Sequence, residues 1–417
     1  MDLPINKNRP LIMHVDLNSC FATVEQQANP LLRGKPVCVA PYTSGNGCVI
    51  SPSMEAKRFG VKVGMTVREA KMLCPDAIIL HPDPPKYRAV HLQFKTIFQD
   101  YSPHVTPKSI DEAVIDFTDV VGLHKRSLED IGKEIKRRMR SEIGEWISCS
   151  IGIGTNRFLA KTAAGLVKPD GLVTITHENL MDVYSKLTLI DICGINTRYQ
   201  ARLNAYGVFS PLDFVSASLQ KLQKQVFQSI NGYYWYTRLR GWEIDAIDFG
   251  RKSYGQSYAL HEFTNNPREL SRLLMKLTEK MGRRLRKAGY CASGIHVSCL
   301  YLDGTHWHMG RKVSQKLYTT SELFKKAQLL LNRQPEWKKV THLAVSCYDL
   351  QDSNDNQLDL FETDMQKKRD LSNAMDSMND RYGEYIITPA LMMGMRDQIV
   401  DRVAFGGVKD LEEIYAL

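Results

Sequence analysis

The chain has 417 residues, 43% of them hydrophobic, which is enough for two to four domains with real cores, and no apolar run approaches the roughly 18 residues that span a bilayer. The N-terminus lacks the basic and apolar regions of a signal peptide, and the nine cysteines are odd in number and contain no Cys-x-x-Cys pair, so the reading is a cytoplasmic protein without membrane association, disulfide framework or zinc site. The net charge of +9 is uneven: residues 251–340 hold 18 Lys+Arg against 6 Asp+Glu, whereas 351–417 hold 7 against 14, and a basic block of that size is the footprint expected for a phosphate backbone.

Taken in order, residues 10–27 read as a strand followed by a helix. Leu11 to Val15 form an apolar run that ends on Asp16, and a helix start follows at Asn18-Ser19. Short strands at 36–40 and 48–51 lead into a helical segment from Met54 to Pro75. Its glycines suit tight turns, and no Gly-x-x-x-x-Gly-Lys phosphate loop is present. A helix at 87–100 precedes Val105, Pro107 and Ser109, which signal a strand and a turn, so Asp111 and Glu112 fall where a hairpin reverses. Two carboxylates that close repel unless a cation sits between them. With Asp16 they make three acids from two strand ends, the ligand set of divalent-metal phosphoryl chemistry; alone, the pair also reads as a solvated hairpin tip.

A helix at 127–144 carries Leu128, Ile131, Ile135, Met139 and Ile143 at helical spacing, a core stripe. Strand 147–153 leads into a helix bearing Arg157 and Lys161, and the order β-α, insertion, α-β-β-α-β-α-β suits a ferredoxin-like domain. The turn Lys168-Pro169-Asp170-Gly171 closes it. Short helices extend from Ile192 to Glu243. After a basic connector, residues 257–348 alternate strand, helix (269–289), two strands (291–301 and 306–314), helix (319–332) and strand (338–348). Arg283, Arg284, Arg286 and Lys287 crowd one helix end, and Arg311 and Lys312 end a strand. Beyond Asp349 the composition turns polar, and residues 351–356 read as a flexible tether. It presents Gln357-Leu358-Asp359-Leu360-Phe361, an apolar anchor on a polar stretch. A helix at 365–378 follows, and residues 362–417 otherwise receive no account.

The blocks His14-Val15-Asp16-Leu17-Asn18-Ser19-Cys20-Phe21-Ala22-Thr23-Val24-Glu25, Ser109-Ile110-Asp111-Glu112-Ala113 and Ser150-Ile151-Gly152-Ile153-Gly154-Thr155-Asn156-Arg157-Phe158-Leu159-Ala160-Lys161 resemble, in order and spacing, the signatures of the Y-family translesion DNA polymerases. The likeness runs from about residue 10 to about residue 361 and is nearest the bacterial DNA polymerase IV branch, while Asn46 to Ile50 and Asn379 to Gly383 look more like the catalytic subunit of polymerase V. The resemblance implies an α+β multidomain fold: a ferredoxin-like palm (1–28 and 82–185), small fingers (29–81), a helical thumb with a helix-hairpin-helix (186–245), a linker (246–256), a βαββαβ-like little finger that binds DNA (257–350), and a clamp-binding tether with a C-terminal extension (351–417).

It also implies a function, template-directed and error-prone addition of dNTPs to a primer 3′-hydroxyl. Asp16, Asp111, Glu112 and the Leu17 carbonyl would hold two Mg²⁺ ions, for which Mn²⁺ can substitute. Phe21 stands at the position of the steric gate against ribonucleotides, and Lys57, Arg58 and Lys161 at positions that meet the triphosphate. The fingers depart from the family pattern, with Met54 and Lys57 where a tyrosine and an arginine are usual. Gly194, in a degraded Cys-Gly-Ile-Asn hairpin, and Arg283, Arg284, Arg286, Arg311 and Lys312 are the expected DNA contacts; Gln357, Leu358, Leu360 and Phe361 are those expected for a sliding clamp. The expected state is a monomer. A nucleotide cyclase with a similar palm, or a non-catalytic DNA-binding relative, are the alternative classes.

Overall fold

The structure, a computed structural model, describes residues 3–246, 250–353, 363–383 and 385–395. Among these, residues up to 246 belong to one compact unit and residues 250–395 to a second.

The first unit is built on a five-stranded sheet of β1 (Ile12–Leu17), β5 (Val105–Pro107), β6 (Glu112–Asp116), β7 (Cys149–Gly154) and β8 (Leu172–Thr174), in the order β5-β6-β1-β7-β8. Strand β1 runs antiparallel to both β6 and β7, and β8 lies parallel to β7. Because side chains alternate along a strand, Met13, Val15, Leu17, Ala113, Ile115, Ile151 and Ile153 share one face. They are buried with Phe94 and Phe98 of α4 (Pro84–Gln99) and Ile131 and Ile135 of α5 (Leu128–Arg138). The helix expected at 127–144 is α5 continued by one π turn, Met139–Ile143.

The opposite face carries His14, Asp16 and Glu112 and meets α6 (Arg157–Leu166). That helix lies so close to β7 that a Cβ on Gly152 would come within 2.1 Å of the Ala160 carbonyl oxygen, so the glycine is required for the approach. Helix α1 (Cys20–Ala28) follows β1 at once and is buried from Cys20 to Gln26. The inserted subdomain pairs β2 (Val37–Val39) antiparallel with β3 (Ser51–Pro52) and parallel with β4 (Ile78–Leu80), around a small core of Cys38, Val49, Ala56, Val61, Ala70, Cys74 and Ala77. Its helices are α2 (Met54–Arg58) and α3 (Val67–Leu73), the latter closed by a Thr66/Glu69 capping box. Four further short helices, α7 (Leu180–Ser185), α8 (Thr197–Ala205), α9 (Pro211–Ser216) and α10 (Asn231–Leu239), bury Tyr184, Phe214, Trp235 and Leu239 together with Phe158 and Leu159 of α6.

The second unit is an antiparallel sheet of β9 (Ser253–Thr264), β10 (Tyr290–Tyr301), β11 (His306–Leu317) and β12 (Val340–Asp352) in the order β11-β10-β12-β9. Helices α11 (Pro267–Lys287) and α12 (Thr320–Leu331) supply Leu270, Leu274, Leu277, Met281, Leu285, Leu323 and Leu330 to a core shared with Ile295, Val297, Leu343 and Val345. Two expectations are corrected here. The connector expected to reach residue 256 gives way to β9 from Ser253, and the tether expected from residue 351 starts inside β12, where Gln351 pairs with Cys291 and Asp352 with Tyr290. Ladder bonding to an extended neighbour holds polar residues in a strand that their composition alone does not suggest.

The described part of the extension packs on the second unit as well. Helix α13 (Thr363–Tyr382) and residues 385–395 pack on α11: Arg272 donates to the carbonyls of Leu391 and Met393, the fully buried Lys276 ammonium donates to the Met395 carbonyl, and Met395 joins the core.

Candidate active site

Antiparallel pairing sets Asp16 directly opposite Glu112, so both carboxylates project from the same face of adjacent strands, and Asp111 precedes Glu112 at the end of the turn. The turn is held from several sides. Lys108 N–H donates to the Glu112 carbonyl at 2.8 Å, Leu17 N–H to the Asp111 carbonyl at 2.9 Å, and the Ser109 hydroxyl to the Asp111 carboxylate. Beneath it, the buried His91 of α4 lies with Nδ1 3.0 Å from the Ile110 carbonyl oxygen, so Nδ1 carries the proton.

Two lysines close on the acids. Lys161, on the face of α6 turned to the sheet, places Nζ 2.7 and 3.0 Å from the two Glu112 oxygens, and Lys168 places Nζ 2.5 Å from Asp16 Oδ2. Burial raises the Asp16 carboxyl above its ordinary range against the pull of Lys168, and burial raises Asp111 as well, against its bond from Ser109. Burial also pushes Glu112 upward, but the bond and charge of Lys161 more than offset this and hold it below the usual range. His14, 1% exposed, stands with Nε2 3.8 Å from Glu112, and burial takes its imidazole down to about 4, so it is neutral at pH 7. Lys57, exposed in α2, lies within electrostatic reach of Asp16: desolvation, then repulsion from Lys168, lowers its ammonium, while Asp16 raises it. Arg58 is exposed at the end of α2.

The arrangement therefore brings Asp16, Leu17, Asp111, Glu112 and Lys161 together, with Lys57 within electrostatic reach of Asp16. Among the described residues no three His, Cys, Asp or Glu side chains converge closely enough to hold an ion as they stand, because Asp16 and Glu112 each turn to a lysine. Phe21 is 2% exposed at the head of α1 and stacks on Tyr87 with ring centroids 4.4 Å apart, while the Tyr87 hydroxyl donates to Glu25 at 2.8 Å. Asp116 serves the fold, accepting from Thr118 and pairing with Arg157 at 3.3 Å.

Lys168 and His14 escaped the sequence reading. Lys168 passed as part of a turn, although a cation opening a turn beside a strand end two strands from Asp16 is a usable signal. His14 lies two residues before Asp16 in a strand and must share its face.

In the second unit, Arg286 was expected to face DNA and does not. It is buried, pairs bidentately with Asp376 of α13 at 2.6 and 2.9 Å, and donates to the Tyr318 carbonyl and the Thr320 hydroxyl. Arg283 likewise pairs with Asp380 at 2.7 Å and faces Asp376 at 3.8 Å. The acidic extension, which the sequence reading left unassigned, claims both. Arg284 is half-buried and donates to the Gly255 carbonyl. Lys312 is exposed and pairs with Asp349 at 3.0 Å, and Arg311 is exposed on edge strand β11. Gly194 has φ +96° and sits 3.3 Å under the Trp235 ring, measured from where a Cβ would stand, in a loop whose Asn196 side chain caps α8. Gln357, Leu358, Leu360 and Phe361 lie outside the described residues.

The comparisons agree with this geometry. The impB/mucB/samB family matches residues 15–165, and the C-terminal domain of the same family matches residues 251–360. DNA polymerase IV of Pelotomaculum thermopropionicum is 34% identical over 388 residues, covering 92% of this chain and 95% of the relative. DNA polymerase IV 1 of Bacillus subtilis is 30% identical over 385 residues, covering 90% and 92%. Among solved structures, a Y-family DNA polymerase chimera of Dbh and Dpo4 superposes with a TM-score of 0.72 at 25% identity, covering 82% of this chain and 99% of that one. An insertion ternary complex of Dbh DNA polymerase gives 0.55 at 25% identity, covering 81% and 98%.

An acid-bearing α+β palm with inserted fingers, a small helical subdomain and a separate four-stranded unit defines a DNA-directed DNA polymerase, and the chain belongs to the Y-family of translesion polymerases. Within that family its likeness is to DNA polymerase IV, and template-directed synthesis of the lesion-bypass type is its function.

Proposed function

We propose that this polymerase adds dNTPs to a primer 3′-hydroxyl with two Mg²⁺ ions held by Asp16, Asp111, Glu112 and the Leu17 carbonyl, and that Mn²⁺ can replace them. The observation that carries the reading is the pairing of Asp16 with Glu112 across β1 and β6 beside Asp111. Three hard oxygen donors on one site, already drawing two ammonium groups, fit Mg²⁺ by charge and donor type. When bound, the metal would lower the pKa of the 3′-hydroxyl and neutralise charge on the leaving pyrophosphate.

The chain's own residues do the rest. Lys57, Lys161 and Lys168 supply positive charge where a triphosphate meets the acids, with Arg58 beside Lys57 at the mouth of the fingers. His14, neutral and buried, backs Glu112 without adding charge. Phe21, pinned against Tyr87, bars a 2′-hydroxyl. Template-primer DNA and dNTP are the ligands; ternary and binary complexes of Dbh polymerase support this. Arg311 and Lys312 on edge strand β11, together with Gly194, are the phosphate contacts carried forward, while Arg283, Arg284 and Arg286 serve the fold. The protein acts as a cytoplasmic monomer and docks on a sliding clamp through Gln357, Leu358, Leu360 and Phe361.

Primer extension with and without Mg²⁺ tests the reading. Metal-dependent extension supports it. Activity without added divalent metal in the presence of a chelator contradicts it, and so does cyclisation of a nucleotide without template.

A further inference from the structure

We infer that Asn18 is a positioning residue that fixes the Lys168 ammonium against the catalytic acids. The inference rests on the reading that Lys168 meets the triphosphate in this site. Asn18 is 4% exposed, and it stands two residues after Asp16, just beyond the end of β1. Its amide uses both ends. Nδ2 donates to Ser150 Oγ at 3.0 Å, and Oδ1 accepts from the Asp170 N–H at 2.9 Å and from Ser148 Oγ at 3.3 Å. Its backbone is also fixed, since Asn18 N–H donates to the Ser148 carbonyl at 2.9 Å and Thr23 Oγ1 donates to the Asn18 carbonyl at 2.7 Å.

The segment it grips is the turn that carries Lys168, and this turn does not hold its own shape. Asp170 has φ +60°, a left-handed conformation that costs a non-glycine residue free energy and persists only where neighbours impose it. A Cβ on Gly171 would lie 2.0 Å from the Val167 carbonyl oxygen, so the turn is closed as tightly as the backbone permits. Several neighbours impose it, among them Lys136, which donates to the Asp170 and Gly171 carbonyls, and Ile151, whose N–H donates to the Gly171 carbonyl at 2.9 Å. Asn18 takes the Asp170 N–H, and Ser150 Oγ accepts from the Gly171 N–H at 3.3 Å and donates to the Val167 carbonyl at 3.2 Å. Lys136 and Arg140 pair with the Asp170 carboxylate.

Asn18 touches two parts of this clamp at once, the Asp170 amide and the serine that bonds Val167 and Gly171. The strand that presents Asp16 therefore also anchors the turn whose lysine meets Asp16 at 2.5 Å. Fixing both backbones from one strand end sets where the lysine stem begins relative to Asp16. An alanine here keeps neither bond.

Single-nucleotide incorporation by the full chain at saturating Mg²⁺ tests this, with Asn18→Ala, Lys168→Met and the double variant Asn18→Ala/Lys168→Met. Loss of the buried bonds is expected to raise the KM for dNTP about 5- to 10-fold in Asn18→Ala, with kcat changed less than about 3-fold. Lys168→Met is expected to raise KM at least as much, and the double variant to match Lys168→Met alone, because no lysine remains to position. If the KM effects of Asn18→Ala and Lys168→Met multiply in the double variant, Asn18 acts independently of the lysine and the inference is overturned. If Lys168→Met alone leaves KM unchanged, the triphosphate reading of Lys168 falls, and this inference falls with it. Should Asn18→Ala fail to fold by circular dichroism, Ser150→Ala, which removes the serine of the same clamp, decides: KM effects of Ser150→Ala and Lys168→Met that multiply in their double variant overturn the proposal.

Discussion

Lys161 holds the Glu112 carboxyl below its usual range against the burial that raises it, and the sign of that effect can be followed with pH. The folded pKa of Glu112 lies below its unfolded value, so the pair contributes stability above the ordinary carboxylate range and loses it as pH falls through the folded value. Lys161→Met should therefore lower the urea midpoint at pH 7 by more than at pH 4; an equal loss at both would assign the effect to packing. Phe21 makes a second case at this scale. Its full burial on Tyr87 means that truncation costs stability as well as selectivity, a cost that the resemblance alone did not suggest. The milder Phe21→Val is expected to reduce dNTP-over-rNTP discrimination about 10-fold while lowering the melting temperature by several degrees. Unchanged discrimination, measured as a ratio of kcat/KM values, would show that the ring packs the core and gates nothing.

At the scale of elements, the palm strands were legible because alternation and the acid-ended run of β1 are local signals. The partnership of Asp16 with Glu112 needed only the fact that β1 and β6 pair. The capping boxes Thr66/Glu69 and Thr319/Glu322 are local signals of helix starts that went unread, and the segment from Met54 to Pro75 is two helices rather than one. What could not be read was where a charged face finds its counter-charge. Arg283 and Arg286 look like a DNA-binding cluster until α13, some 90 residues later, places Asp376 and Asp380 against them. A long-range ion pair leaves no periodicity in the chain. The same pairing explains the opposed charges of residues 251–340 and 351–417: part of each block neutralises the other. Asp376→Ala would leave Arg286 buried without its bidentate partner, at a cost of about 3 kcal/mol. Thermal unfolding of the full chain should show the second unit melting earlier, and an unchanged melting profile would mean that α13 is not part of the folded unit.

For the whole molecule, Asp380 and Asp376 take up Arg283 and Arg286 of α11, which leaves the exposed Arg311 and Lys312 of β11 as the proposed DNA contacts, and residues 357–361 fall in the chain between β12 and α13. Leu360→Ala with Phe361→Ala removes two apolar anchors, so clamp-stimulated synthesis should fall about 10-fold or more while clamp-free synthesis holds. An equal fall in both would place these residues in the fold. The central claim is that Asp16, Asp111 and Glu112 form the metal site of a polymerase whose DNA grip lies elsewhere. Its most direct test is one experiment on Asp111→Ala and Glu112→Ala that measures Mg²⁺-dependent primer extension together with primer-template affinity. The account predicts that extension falls by at least about 10²-fold in each variant while affinity changes less than about 3-fold; substantial extension by either folded variant, or a parallel collapse of DNA binding, would contradict it.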